Sequence, residues 1–263
     1  MGEHEPRKDH DLGLLDDYSR QAESYDRTRG ASPSVLAPVQ AALTGAPGVE
    51  LLDVGGGTGN YALALRERGW RPLVLDRSPQ MLARAGAKGL PTLEADAHRL
   101  PFADESFDAA TMLSTLHHLD DPGAALAEAQ RVLRPGGRLA VLGFTREDIA
   151  DAWVLDYFPS SRPWMEATHH PLPDLLGLLP GAGRVEVTFS DLADASLAAL
   201  MSHPRLLLEE RWRVQTSYFE RMHRDHRDEL NAGLERLQAD LDADSGPTTP
   251  GRASVLAWSK PPR

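Results

Sequence analysis

One glycine-dense turn constrains this chain more than any other feature. Residues Leu51-Leu52-Asp53-Val54-Gly55-Gly56-Gly57-Thr58-Gly59-Asn60 run from an apolar strand pattern (49–54) into a turn that glycine takes without steric cost. The amphipathic run 61–69 follows, so a helix points its N-terminus back at the turn. Such a helix start, reached through glycines, lets a ligand approach backbone N–H groups closely. One reading is the G-x-G-x-x-A dinucleotide fingerprint, met by Gly57, Gly59 and Ala62, with Asp76 nineteen residues beyond Gly57 where that fold keeps its ribose acid. A second reading takes the loop as D-x-G-x-G-x-G from Asp53 to Gly59. Spacing alone leaves both standing.

Downstream the chain alternates. Strands are expected over 71–76, 91–96, 107–114 and 138–144. Helices are expected from Ser78 to Gly89 and over 122–137, the latter stopped by Pro135-Gly136-Gly137. Strand–helix alternation with short links means a mostly parallel sheet covered on both faces. After residue 145 the rhythm fails. Residues 146–183 are rich in aromatics and prolines, 184–190 alternate like a strand, and 192–241 read as helices. The run 253–259 is a last strand. We therefore expect one domain over 1–263, with a helical arm at 12–45 and a ligand-binding core at 49–145. Segments 146–183 and 192–245 would form a lid or a dimer contact.

Composition narrows the function classes. There is no cysteine, which excludes thiolate metal sites and a cysteine nucleophile. Acidic residues number 39 against 28 basic ones, a net charge of −11. A nucleic-acid binder needs basic surface, so small or peptide-like ligands are favoured. No apolar run approaches the ~18 residues that span a bilayer, and the charge-dense stretch 1–17 has no signal-peptide core. A cytoplasmic protein is expected.

Four further motifs follow the loop in order. They are Glu94-Ala95-Asp96-Ala97, the run Leu100-Pro101-Phe102-Ala103-Asp104-Glu105-Ser106-Phe107-Asp108, the run Leu116-His117-His118-Leu119-Asp120-Asp121-Pro122, and Val132-Leu133-Arg134-Pro135-Gly136-Gly137. With the loop, this set over about 18–145 resembles the class I S-adenosylmethionine-dependent methyltransferases of the ubiquinone/menaquinone-biosynthesis group. The resemblance implies a Rossmann-like doubly wound α/β sheet of seven strands, mostly parallel, with one antiparallel C-terminal strand inserted beside the fifth. It implies S-adenosylmethionine as cofactor and S-adenosylhomocysteine as product. Gly55, Gly57 and Gly59 would form the loop, Asp53 would hold the methionine end, and Asp76 would accept both ribose hydroxyls. Asp96 and the Ala97 amide would meet the adenine, Met81 would pack on it, and Ser114 would touch the methionine moiety. Tyr18, Tyr25 and Arg29 resemble the family's N-terminal arm, which folds over the cofactor, with Tyr18 binding the cofactor, Tyr25 facing substrate and Arg29 pairing with the methionine carboxylate.

The acceptor side rests on residue type. His117 stands at the variable, substrate-facing place and is the nominee for general base, since imidazole titrates near neutrality; His118 is read as structural. A polar loop histidine is the plain alternative. Trp153, Tyr157, Trp164 and Tyr218 are nominated as an aromatic substrate wall, although aromatics outside a sheet serve equally well as core. His169, His170, His223 and His226 lack metal-ligand spacing, so no metal is expected and a solvated face is the reading. A nicotinamide-dependent oxidoreductase and a non-catalytic cofactor-binding module are the rival functions. A homodimer through the amphipathic stretch 226–241 is a further expectation.

Overall fold

The computed structural model describes Asp26, residues 28–214 and residues 216–263. Tyr18 and Tyr25, with the first part of the expected arm (12–25), lie outside the described residues.

Seven strands form one sheet: β1 (Glu50–Val54), β2 (Arg71–Asp76), β3 (Thr92–Glu94), β4 (Phe107–Leu113), β5 (Leu133–Gly143), β6 (Gly183–Thr188) and β7 (Arg252–Ser259). Their order is β3-β2-β1-β4-β5-β7-β6. Pairing is parallel from β3 through β5, and β7 runs antiparallel to both β5 and β6. The expected six-plus-one sheet is what the chain forms. β1 and β4 are apolar runs because both their faces are covered. Alternate side chains go to opposite sides: Leu52, Val54, Ala110 and Met112 enter one core, while Leu51, Ala109, Ala140 and Leu142 enter the other.

The second of these faces is covered by α1 (Pro33–Leu43), through Val35, Leu36, Val39 and Leu43, and by Leu65 of α2 (Asn60–Arg66). α3 (Pro79–Ala87) begins where the Ser78 hydroxyl accepts the Met81 amide, a side-chain cap worth about 1 kcal/mol. The first face is covered by α4 (Pro122–Val132), capped by Asp121 accepting from Ala124 N. Here the structure shortens the expected helix. β5 begins at Leu133, because Phe107 pairs with Leu133 and Ala109 with Arg138, so 134–137 bulge from the ladder. Lys260 fastens that bulge through backbone bonds to Gly136 and Gly137. The proline and glycines turn the chain inside a strand, not only at a helix end.

Between β5 and β6 lie α5 (Arg146–Ala150), α6 (Val154–Tyr157), α7 (Arg162–Thr168) and α8 (Leu172–Leu178); between β6 and β7 lie α9 (Leu197–Met201), α10 (Glu210–Arg213), α11 (Ser217–Asp225) and α12 (Arg227–Asp242). Most of these form a helical cap with its own core, in which Phe158 meets Phe219 edge-on at 5.7 Å. α8 departs from the expected lid: Leu175, and Leu179 just past its end, join the sheet core. α12 spends its apolar stripe, Leu230, Gly233 and Leu237, inside the chain. It approaches so closely at Gly233 that a Cβ there would sit 2.4 Å from the Phe158 ring. That stripe is therefore not available to a second subunit. Among the described residues no helix is long and apolar enough to cross a membrane.

Candidate functional site

The sheet order reverses between β1 and β4, and in open α/β sheets the crevice beyond the strand ends at such a point holds ligand. Here a cavity of about 290 Å³ opens there, floored by the strand ends and roofed by α7 and α11.

The glycine turn forms its first wall. Gly55 N and Gly56 N both donate to Leu75 O of β2, at 2.7 and 3.1 Å, so the turn is pinned to the neighbouring strand. Gly57 has φ +56° and nothing within 4 Å of where a Cβ would stand, so its backbone presents open space to the cavity. Gly59, also left-handed, faces inward, where a Cβ would meet Leu90 of the helix layer at 2.5 Å.

The acids lie at the strand ends. Asp76 closes β2, where Oδ2 accepts Gly57 N and Oδ1 accepts Ser78 N, each at 2.9 Å. The carboxylate is thereby fixed in plane, and each oxygen keeps lone-pair capacity for a ligand. Asp53, 1% exposed, accepts the Thr111 hydroxyl at 2.7 Å. Burial pushes its pKa up to about 7 against the pull of Thr111, and repulsion from Asp76 adds to the rise. Asp96 is 68% exposed at its side chain and is bound by its own loop, to His98 N at 2.9 Å and His98 Nδ1 at 2.6 Å. The His98 amide, then its ring, holds that carboxyl below the usual range. Arg131 organises this loop from α4, donating to the carbonyls of Leu100 and Phe102 and pairing with Asp104 and Glu128. The acidic and apolar residues of 100–108 thus serve to hold the Asp96 loop against the helix. Ala97 and Met81 are buried at the cavity wall, and Ser114 closes β4 with φ +54°. That strained backbone, held by Ser114 N on Leu142 O at 2.8 Å, is of the kind found at ligand sites.

Arg29 departs from expectation. Its Nε lies 2.7 Å from Asp194 Oδ1, and the two residues form an isolated β-bridge. Asp194 also accepts Tyr61 Oη at 2.9 Å. Arg29 borders the cavity, but its charge is neutralised by a protein carboxylate, a role expected of a ligand. Nearby, Asp26 accepts from Thr58, Asn60 and Lys88, fastening residue 26 to the glycine turn.

The histidines form a stack. His117 and His118 occupy a short 3-10 turn (Leu116–His118), and both border the cavity. The His117 ring lies 5.4 Å from His169, nearly parallel at 11°, and 3.8 Å from His118. Burial, with two further imidazoles close by, holds His117 well below its usual range. His118 and His169 are pushed down to about 4, burial leading in each case. His117 is thus a neutral imidazole at pH 7, not a group poised to titrate there. His169 is buried, with Nδ1 on Met165 O at 2.8 Å, so it is no solvated-face residue. Among the described residues no three His, Asp or Glu side chains are gathered so as to hold a metal ion.

Of the aromatics, Trp164 and Tyr218 border the cavity, their rings 5.2 Å apart. Trp153 and Tyr157 are not brought to it. Trp153 is buried in the cap with Nε1 on Met201 O at 3.1 Å, and Tyr157 donates to Asp240 at 2.6 Å beneath Arg236. Both serve the cap core, a correction to the substrate-wall reading. Sequence reasoning missed Arg221 and Arg224, which follow Tyr218 at three-residue intervals and border the same cavity. That spacing on one helix face was the available signal.

Residues 52–141 match the model of a family described as "Methyltransferase domain". The chain is 43% identical over 99 residues to the demethylmenaquinone methyltransferase of Mycolicibacterium paratuberculosis, covering 38% of this chain and 43% of that one. It is 35% identical over 190 residues to the ubiquinone/menaquinone biosynthesis C-methyltransferase UbiE of Bordetella parapertussis, covering 61% and 72%. The chain spans about half the length, or less, of the first curated relatives it matches. In fold it resembles a putative methyltransferase from an antibiotic biosynthesis pathway of Anabaena variabilis, with TM-score 0.72 at 24% identity, covering 88% and 98%.

Proposed function

Because the chain belongs to the class I S-adenosylmethionine-dependent methyltransferases, we propose that it transfers a methyl group to a small-molecule acceptor seated between the sheet edge and the helical cap. The observation that carries this reading is the pairing of Asp76 with Gly57. A carboxylate locked by two backbone amides faces the cavity beside a glycine that leaves room there for a ligand. These residues fit the cofactor. Asp76 would take the ribose hydroxyls through charge-assisted bonds, and the wall of Met81 and Ala97 would take the adenine, with Asp96 at its edge. Asp53 would meet the ammonium end, and an opposite charge there would draw its pKa back down. Ser114 would lie along the methionine chain.

When bound, the cofactor supplies a methyl group already activated on sulfonium. The protein's share is then chiefly alignment, which holds an acceptor near contact distance and can supply several kcal/mol of the barrier. Trp164 and Tyr218 support a planar acceptor body. The relatives' names speak of quinones, and a planar quinol is compatible with that wall. His117 is the proposed base for an acceptor that must lose a proton. Being held neutral, it is ready to accept one, but its low basicity suits a proton that is already acidic. The proposal extends to a cytoplasmic enzyme and covers a peptide-like as well as a metabolite acceptor.

Calorimetry with S-adenosylhomocysteine and with NADH tests the cofactor. Binding of the first and not the second is expected, and the reverse would return the chain to the oxidoreductase reading. Incubation with S-adenosylmethionine and a metabolite extract should then yield a product heavier by one methyl group.

A further inference from the structure

The cavity's charge is divided in a way that methyl transfer does not by itself explain. Among the described residues, the carboxylates that border it are Asp53, Asp76 and Asp96 at the strand ends, and Asp194, which is paired with Arg29. α7 and α11 bring no carboxylate to that border, and α11 brings two guanidiniums, Arg221 and Arg224. Arg224 is held by both oxygens of Asp225, at 2.8 and 3.1 Å. Arg221 is placed differently. Its guanidinium lies over the Trp164 ring, 4.7 Å from the centroid, and the Asp225 Oδ2 with which it pairs is 3.7 Å from Nε, too far for a hydrogen bond.

Each residue of this stack carries a buried donor without an acceptor. Arg221 Nε and Trp164 Nε1 are both shut off from solvent, and neither has a hydrogen-bond partner among the described residues. Buried donors are almost always satisfied in native proteins, and exceptions ask for an explanation. Neither group can accept a hydrogen bond or shed its proton, so only a group bearing lone pairs can complete them. An anionic oxygen does this best, because a charge-assisted bond to guanidinium is about twice as strong as a neutral one.

We infer that the cap side of the cavity is a recognition site for a carboxylate on the acceptor, held by Arg221 and Trp164 Nε1 while the acceptor's planar body lies against Trp164 and Tyr218. This rests on the methyl-transfer reading and narrows its substrate class to planar acids. The partition has a physical sense. The strand ends, where Asp53, Asp76 and Asp96 outnumber Arg77, match a donor that carries positive charge, and the basic cap matches an acceptor that carries negative charge. The two ligands are thereby sorted to opposite ends of one cavity.

The test uses the full chain saturated with S-adenosylhomocysteine, titrated calorimetrically with 2-naphthoate and with its neutral isostere 2-naphthamide. The acid should bind at least about tenfold more tightly, as one charge-assisted bond implies. Arg221→Gln should erase the difference while S-adenosylhomocysteine affinity and the melting temperature hold. Arg221→Lys should keep part of the preference, and Trp164→Phe, which keeps a ring and removes the donor, should cost several-fold for the acid alone. If S-adenosylhomocysteine binds but acid and amide bind equally, or neither binds, the carboxylate site is overturned and the methyl-transfer reading stands. If S-adenosylhomocysteine itself fails to bind the wild-type chain, both fall.

Discussion

Replacing Asp53 by asparagine should stabilise the protein at alkaline pH and weaken its hold on the cofactor. Asp53 is buried at the end of β1 with one hydrogen bond, from Thr111, and its pKa is raised from 3.8 to about 7. A carboxyl whose folded pKa lies above its unfolded one makes the fold bind more protons than the unfolded chain. Stability is therefore highest below the unfolded pKa, falls as pH climbs between the two values, and levels off above the folded one. Each displaced unit is worth about 1.4 kcal/mol, so holding Asp53 ionised at pH 8 costs on the order of 4 kcal/mol. That loss accrues steadily between about pH 4 and pH 7, a little over half of it above about pH 5. Asparagine keeps the acceptor for Thr111 and carries no charge. It also brings an amide that finds no assured acceptor, which takes back about 1–3 kcal/mol of that gain. We expect the Asp53→Asn variant to melt several degrees above wild type at pH 8, at about 2–4 °C per kcal/mol, with the advantage shrinking steadily toward pH 5. Calorimetric melts of both proteins across that range measure the difference directly, and subtraction removes every other titration they share. S-adenosylhomocysteine affinity should fall by about tenfold, since an ion contact becomes a neutral one. An advantage that is absent at pH 8, or equal at pH 5 and pH 8, would refute the argument that Asp53 stores this cost.

Asp76→Ala should weaken S-adenosylhomocysteine binding by about tenfold to a hundredfold in a chain that still folds; unchanged calorimetric affinity would remove Asp76 from the ribose site. His118 and His169, both pushed down to about 4, lie below their unfolded pKa. They withhold stability as pH falls from about 6.5 toward 4, so His169→Asn should flatten the acid side of the melting profile, and an identical profile would show that burial there is cheap. His117→Ala should lower kcat by about 10²–10⁴ if the acceptor surrenders a proton, with cofactor affinity intact, and wild-type kcat would mean that alignment alone suffices. Trp153→Ala should cost about 3–5 kcal/mol of stability yet leave the acceptor KM of the folded fraction unchanged, whereas Trp164→Ala should raise that KM; the opposite pattern would move Trp153 into the site.

The sheet was legible because its central strands are apolar runs separated by turn residues and β6 alternates, and the glycine turn because few other residues can make it. The placing of Asp76 and Ser114 at the cavity was legible because they close strands whose ends were visible. The misplacements share a cause in distance along the chain. Arg29 finds its carboxylate at Asp194, and Tyr157 finds Asp240; no local pattern announces a partner so remote. Trp153 and Trp164 look alike in sequence, and only packing separates the one bonded to Met201 O from the one facing the cavity. The basicity of His117 was misjudged for the same reason, since burial beneath His169 cannot be read from neighbours in sequence. Pro135-Gly136-Gly137 reads as a helix stop, and the bulge it makes in β5 depends on Lys260.

The position of β7 sets a schedule for synthesis. Among the described residues β6 pairs with no strand but β7, and the helices α9 to α12 are strung between the two. On the ribosome the glycine turn, Asp76 and the whole parallel half emerge first, with β5 showing an unpaired edge until the last strand is released. During that interval the chain carries an open edge of the kind that recruits other strands. A stop codon ahead of Arg252 would remove no residue that borders the cavity. It would still leave β5 uncovered and β6 without a partner, so the expected fate of such a fragment is aggregation, not a weakened enzyme. Chaperone dependence should accordingly track the time between synthesis of β6 and release of β7.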